Sequence, residues 1–247
     1  CHSDGYSYGQ KERTEEIMTQ FMSNSIFFGA AISLIAYEAG LLLKRKFRMA
    51  IFNPLLIAII AVMAVLSLLH IDYDTYNQSG QYISYLLTPA TVCLAVPLYQ
   101  QMELLKKNLK AVVIGIVSGV LASMVSVMLL AKMFRLSHEQ YVTLLPKSIT
   151  TAIGMGVSEE LGGIVTITVA VIIITGVLGN MIAETVIRLA HIEEPIAKGL
   201  ALGTSAHAIG TAKAMELGEV EGAMSSLAIA VAGLLTVVGA SVFAQFM

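Results

Sequence analysis

The chain has 247 residues, 56% of them hydrophobic and 13% charged, with a mean hydropathy of +0.78. That composition lies outside the range of soluble domains, and with no basic stripe outside short juxtamembrane clusters nothing points to nucleic acid, on which the net charge of −2 is silent. The sequence reads as an all-α polytopic membrane protein of about seven or eight membrane segments, some of them interrupted or re-entrant. Two cysteines, one at the first position and Cys93 within an apolar stretch, imply neither a disulfide framework nor a thiolate metal site.

Residues 1–20 are polar and unpatterned and are expected to be a tag remnant or disordered, with Met18 or Met22 as a native start; residues 21–247 form one integral membrane domain. A first span is expected over residues 26–43, interrupted by Glu38, either an interfacial carboxylate or a site for a coupling ion. Lys44, Arg45, Lys46 and Arg48 then crowd a short loop, which the positive-inside rule makes cytoplasmic. A second span covers residues 49–69, and residues 70–80, with Asp72 and Asp74 and no base, suit an outer loop. Residues 77–102 are uncharged and carry Pro89 and Pro97, so a kink or unwound stretch is expected near Pro89. Lys106, Lys107 and Lys110 mark a second cytoplasmic loop. Three continuous spans follow, over residues 111–131, 164–183 and 222–247. Gly115 and Gly119 in the first of these sit four apart, a face for close helix packing or for a homodimer. Residues 199–212 are too short for a full crossing, and they and residues 141–157 are either broken spans completed by flanking polar residues or re-entrant hairpins.

These short stretches share a phrase. Ala152-Ile153-Gly154 with Glu160-Leu161-Gly162 lies over Ala208-Ile209-Gly210 with Glu216-Leu217-Gly218 at an offset of 56, and an offset of 57 brings Pro146 onto Pro89 and Glu160 onto Glu103. Three repeat units follow, at 82–134, 140–190 and 196–247, each an interrupted segment and then a continuous helix. Transporters build central sites from such discontinuous helices, whereas small residues alone also serve helix packing.

Packing does not account for Lys147 and His207, ionisable and set mid-way in short membrane-grade segments. Lys147, with Ser148, Thr150 and Thr151 beside it, suits a small carboxylate; snorkelling to an interface is the plainer alternative. His207, with Thr204, Ser205 and Thr211, could donate to the same anion, relay a proton or bond a helix carbonyl. Thr88, Pro89 and Thr91 are their counterparts in the first repeat. Lys213 is expected to pair with Glu216 on a solvated helix surface, and Glu103, Glu159, Glu160 and Glu216 to line a cytoplasmic rim. No zinc-protease motif, nucleophile elbow or Walker loop is present, so the chain is not expected to be an enzyme; a hydrolase using Ser205 and His207 is a minor alternative.

Leu86-Leu87-Thr88-Pro89-Ala90-Thr91, Leu144-Leu145-Pro146-Lys147-Ser148 and above all Lys198-Gly199-Leu200-Ala201-Leu202-Gly203-Thr204-Ser205-Ala206-His207-Ala208-Ile209-Gly210 resemble the LrgB/CidB family, over residues 22–247. The resemblance implies a multi-pass protein of the bacterial inner membrane that works with a small LrgA/CidA-type membrane partner. It also implies either an antiholin-like or holin-like role in murein hydrolase export and autolysis, or transport of small monocarboxylates, since the plastid glycolate/glycerate translocator and bacterial pyruvate-uptake systems are related. Together with Lys147 and His207 it points to a secondary transporter of the pyruvate, glycolate or glycerate class. Such a transporter needs no cofactor beyond a coupling proton or sodium ion.

Overall fold

The computed structural model describes residues 27–47, 52–93 and 95–247, so the polar segment expected over residues 1–20 lies outside the described residues. Those described are helical throughout, without a strand. The chain forms two compact units, Cys1–Thr91 and Val92–Met247.

In the first unit α1 (Phe28–Phe47) packs on α2 (Pro54–Leu68) and α3 (Tyr73–Ser84). Close approach comes from two glycines: the Gly29 N–H donates to Ser79 Oγ at 2.5 Å, and a Cβ on Gly40 would lie 2.7 Å from Pro54 O. Asn53 caps α2 by accepting from the N–H groups of Leu55 and Leu56, with Pro54 at the first helical position, where its missing N–H costs nothing. Two expectations shift here. Lys44, Arg45 and Lys46 form the last turn of α1, where the helix dipole favours cations, and are not in a loop. Most of the outer loop expected over residues 70–80 is helix, because Asp72 sits at the N-cap of α3 and His70 closes α2 with φ 52°.

Helix α4 (Leu87–Cys93) follows, and the second unit then runs α5 (Ala95–Gln100), α6 (Met102–Lys107), α7 (Leu109–Met133), α8 (His138–Leu144), α9 (Thr151–Glu160), α10 (Val165–Leu189), α11 (Pro195–Leu217), α12 (Glu219–Phe243) and a 3-10 turn (Ala244–Phe246). Pro89 and Pro97 are each the third residue of a short helix, so the chain breaks ahead of Pro89, at Tyr85–Leu86, and not at it. Leu109–Met133, Val165–Leu189, Glu219–Phe246 and the stretch Tyr73–Gln100 are long and apolar enough to cross a membrane. Helix α7 buries Val112, Ile116, Val120, Met124, Val127 and Ala131, one stripe at helical spacing, against α11, α12 and α8.

The short segments between these long helices do not cross. Helix α11 leaves helical geometry at Ala206 (φ −132°, ψ 19°) and His207 (φ 41°, ψ −136°). Its neighbours on α12 show what happens there. Gly199 lies on Glu221 and Met224, and Gly203 on Ser225 and Ala228; on the way back, Thr211 meets Ser225 and Met215 meets Gly222. One arm therefore climbs α12 while the other descends it, and a Cβ on Gly210 would lie 2.5 Å from Leu202 O, a contact impossible eight residues along a straight helix. Residues 195–217 are a re-entrant hairpin, called hairpin II here.

Helices α8 and α9 make another, hairpin I, with its turn at residues 145–150. Thr168 of α10 bonds both Thr143 O and Ser158 Oγ, and further along α10 Ile172 packs on Gly154, so α9 runs antiparallel to α10. Hairpin I starts beside the C-terminus, where the Tyr141 hydroxyl donates to Phe243 O and the His138 ring bonds Met247 O. Hairpin II starts at the other end of the same helices, where Glu184 near the end of α10 meets Lys213. The two hairpins thus enter from opposite ends of the α7, α10 and α12 bundle. Glu159 and Glu160, expected to share a rim with Glu216, close α9 at the end opposite Glu216, because hairpin I returns to the side from which it came.

Candidate functional site

Both hairpin tips meet the middle of α10. Ile172 packs its side chain on Gly154 of hairpin I, while its carbonyl oxygen is 3.0 Å from His207 Nε2 of hairpin II. That bond makes Nε2 the protonated nitrogen, since a carbonyl only accepts. Gly176 and Gly179 leave room for the tip: a Cβ on Gly176 would lie 2.6 Å from His207 Nε2, and one on Gly179 2.6 Å from the Ala206 Cβ. The positive φ at His207 is rare for a residue with a side chain, and here the buried ring bond holds it.

At the other tip the backbone turns through Lys147 N–H to Leu144 O at 3.2 Å and Ile149 N–H to Pro146 O at 3.3 Å. Ser148 is buried, its hydroxyl 3.0 Å from Ser123 Oγ of α7 and 2.9 Å from Lys147 Nζ. One turn earlier on α7, Gly119 seats Thr204 of hairpin II, where a Cβ would lie 2.7 Å from Thr204 Oγ1. Lys147, Ser148, Ser123 and Thr204 therefore gather along one face of α7. Among the described residues the half-buried Lys147 ammonium has Ser148 as its single hydrogen-bond acceptor, which leaves two of its three donors to address something else. A cavity of about 590 Å³ between α7 and the first arm of hairpin II runs from Asn108 and Glu194 past Gly115 and Ala201 to Thr204.

The other expected site residues divide. Thr204 and Ser205 donate to their own helix, to Leu200 O at 2.8 Å and Ala201 O at 2.6 Å, and Ser205 points outward. Thr211 donates to His207 O at 3.1 Å and pairs with Ser225 at 2.7 Å, bracing the hairpin against α12. Thr150 caps α9 through its backbone and Thr151 is half-buried beside it, in the turn that carries Lys147. Thr88 and Pro89 belong to the first unit and are exposed there; Thr91 is its last residue. Ser205 and His207 do not form a dyad, because their bonds go to Ala201 O and Ile172 O.

Several partners were not legible beforehand. Ser123 lies beside the small-residue face that was read on α7, but nothing in a single chain marks it as facing a turn 25 residues away. Asn180, whose amide donates to Ile209 O at 3.0 Å, and Glu184 are single polar groups in a hydrophobic run. Lys213 does bond Glu216, at 3.0 Å, but it is 9% exposed and also bridges to Glu184 at 2.5 Å, so the pair is an interhelical tie and not a solvated surface pair.

No solved structure matches the chain. Antiholin-like protein LrgB of Bacillus mycoides (strain KBAB4), of Bacillus cereus (strain B4264) and of Bacillus anthracis (strain CDC 684 / NRRL 3495) are each 39% identical over 221 residues, 89% of this chain and 96% of the relative. The LrgB-like family matches residues 33–246, which takes in both hairpins and all three long helices of the second unit, and the chain is a membrane protein of the LrgB family.

Proposed function

We propose that this chain is a secondary transporter of small monocarboxylates of the pyruvate, glycolate or glycerate class, resident in the bacterial cell membrane. One observation carries the reading: two re-entrant hairpins entering from opposite ends bring Ser148, Ser123, Thr204 and a lysine with a single acceptor among the described residues to one face of a membrane helix. A fixed cation among hydroxyls recognises a carboxylate, and a site reached by hairpins from either side suits alternating access. Thr150 and Thr151 of the same turn complete the proposed lining, with Thr211 behind hairpin II. An LrgA/CidA-type partner and a homodimeric state belong to the same proposal. The test is uptake of two- and three-carbon acids by reconstituted protein, alone and with such a partner, under imposed proton and sodium gradients. Saturable uptake that Lys147→Gln reduces about tenfold is the expected result; no saturable uptake of any such acid would refute it.

The name of the relatives favours a second reading, an antiholin-like regulator of murein hydrolase export and autolysis. Here the tip residues would serve packing alone. Leakage of a bulky dye from proteoliposomes, the same in Lys147→Gln and the parent, supports this reading over transport.

A further inference from the structure

Both hairpins are tied by polar bonds to α10 and α12. Hairpin I holds α10 through Thr168, which bonds Thr143 O and Ser158 Oγ, and through the Ile164 N–H on Thr143 Oγ1; the Tyr141 hydroxyl on Phe243 O holds α12. Hairpin II holds α10 at three levels, by His207 on Ile172 O, Asn180 on Ile209 O and Lys213 on Glu184, and α12 by Thr211 on Ser225.

Helix α7 stands apart. Its Ser118 and Ser126 bond carbonyls of their own helix, and among the described residues the Ser123–Ser148 hydroxyl pair, at 3.0 Å, is the single side-chain hydrogen bond from α7 to either hairpin. Leu200 and Thr204 of hairpin II rest on Gly115 and Gly119 without such a bond, and toward α12 the contact is apolar, with Met124 lying on Gly239. The cavity of about 590 Å³ runs along this same interface, so α7 and hairpin II also leave space between them. At membrane depth no water replaces a broken hydrogen bond, so the bonded contacts resist separation, while small and apolar surfaces beside an unfilled volume can shear past each other.

We propose that the two hairpins, α10 and α12 move as one body past α7, and that the solute itself releases them. Ser148 Oγ lies between Ser123 Oγ and the Lys147 ammonium. A carboxylate bound by Lys147 takes the Ser148 hydroxyl from Ser123, and the polar link across the sliding interface opens. This trigger rests on the transport reading, whereas the slip plane rests on the bonds alone.

Two cysteine pairs test the slip plane, in a chain with Cys1 and Cys93 changed to serine. A Cβ on Gly115 would lie 4.0 Å from the Leu200 Cβ, and one on Gly222 3.6 Å from the Met215 Cβ, both within disulfide reach. Oxidising Gly115→Cys/Leu200→Cys pins hairpin II to α7 and should lower pyruvate uptake by reconstituted protein about tenfold, with reduction restoring it. Oxidising Met215→Cys/Gly222→Cys pins hairpin II to α12 and should leave uptake unchanged. Loss in both pairs, or in neither, would overturn the proposal. Pulsed electron paramagnetic resonance reads the same movement without transport. Spin labels on Leu129→Cys of α7 and Leu234→Cys of α12, both exposed positions, should give one distance in the free parent, a second on adding pyruvate, and both in free Ser123→Ala. Labels on Leu178→Cys of α10 and Leu234→Cys should give one distance throughout. An unchanged Leu129–Leu234 distance in Ser123→Ala overturns the proposal even where the parent takes up no acid, a result that by itself refutes transport alone.

Discussion

Hairpin I turns over six residues, 145–150, and hairpin II over two, Ala206 and His207, and the two tips differ in what they can do. The wider turn has room for Pro146, a buried serine and a lysine whose ammonium has one acceptor among the described residues. The tighter one spends its ring nitrogen on Ile172 O and its carbonyl on Thr211, with two glycines of α10 shaped around it. The comparison separates two residues that look equally suggestive in the sequence. Lys147 keeps donors to spare among the described residues; His207 spends its polar groups within the fold.

Mutations can break or sharpen that contrast. The largest effect is expected from Gly176→Val, whose added carbons would collide with the His207 ring; a loss of about 3 kcal/mol or more in unfolding free energy, or no folded protein at all, should follow. His207→Ala leaves the Ile172 carbonyl without its buried donor and should cost about 2 kcal/mol, read by denaturant unfolding, before any effect on a solute. Lys147→Gln should behave the other way, with stability within about 0.5 kcal/mol of the parent and solute uptake down about tenfold. If His207→Ala lost uptake at unchanged stability, the assignment of anchor and reader would have to be exchanged. Lys213→Met, which unties hairpin II from α10, should cost about 0.5–1 kcal/mol because both glutamates are half in solvent. The smallest change belongs to Ser205→Ala, whose hydroxyl bonds its own helix and faces outward; both stability and uptake should stay within error.

Much of the fold was readable in the chain, and the reasons it was or was not are physical. The long spans were visible because the membrane demands about 20 apolar residues in a row, and α7, α10 and α12 supply them. The four-residue spacing of Gly115 and Gly119 marked a close helix contact, and Leu200 and Thr204 fill it, within the chain. The duplicated Ala-Ile-Gly and Glu-Leu-Gly phrase forms the returning arm of each hairpin, where Gly154 meets Ile172 and Gly210 meets Leu202. What the phrase could not convey is that its copies point in opposite directions. Hydropathy has no sign along the membrane normal, so Glu160 and Glu216 look alike while closing opposite ends of the bundle. The polar partners were hidden for a related reason: Ser123, Asn180 and Glu184 acquire meaning from a neighbour 25 to 29 residues away, and periodicity reports only the helix a residue belongs to.

The shortness of the hairpin arms bears on how the protein is made. An arm of ten or eleven residues rises about 16 Å, half of a hydrocarbon core, so no single arm has the length by which a nascent segment partitions into lipid. The long helices α7, α10 and α12 can enter the bilayer on their own hydrophobicity; each hairpin, with its irregular tip, is tolerated at depth only once protein surrounds it. Synthesis delivers hairpin I before α10, so its tip must wait for a helix made after it, whereas the tip of hairpin II closes on α10, made before it, and only its arms wait for α12. Seating of the tips is therefore a late, post-insertion step of assembly, and Gly176 and Gly179 act in it as the socket into which His207 closes.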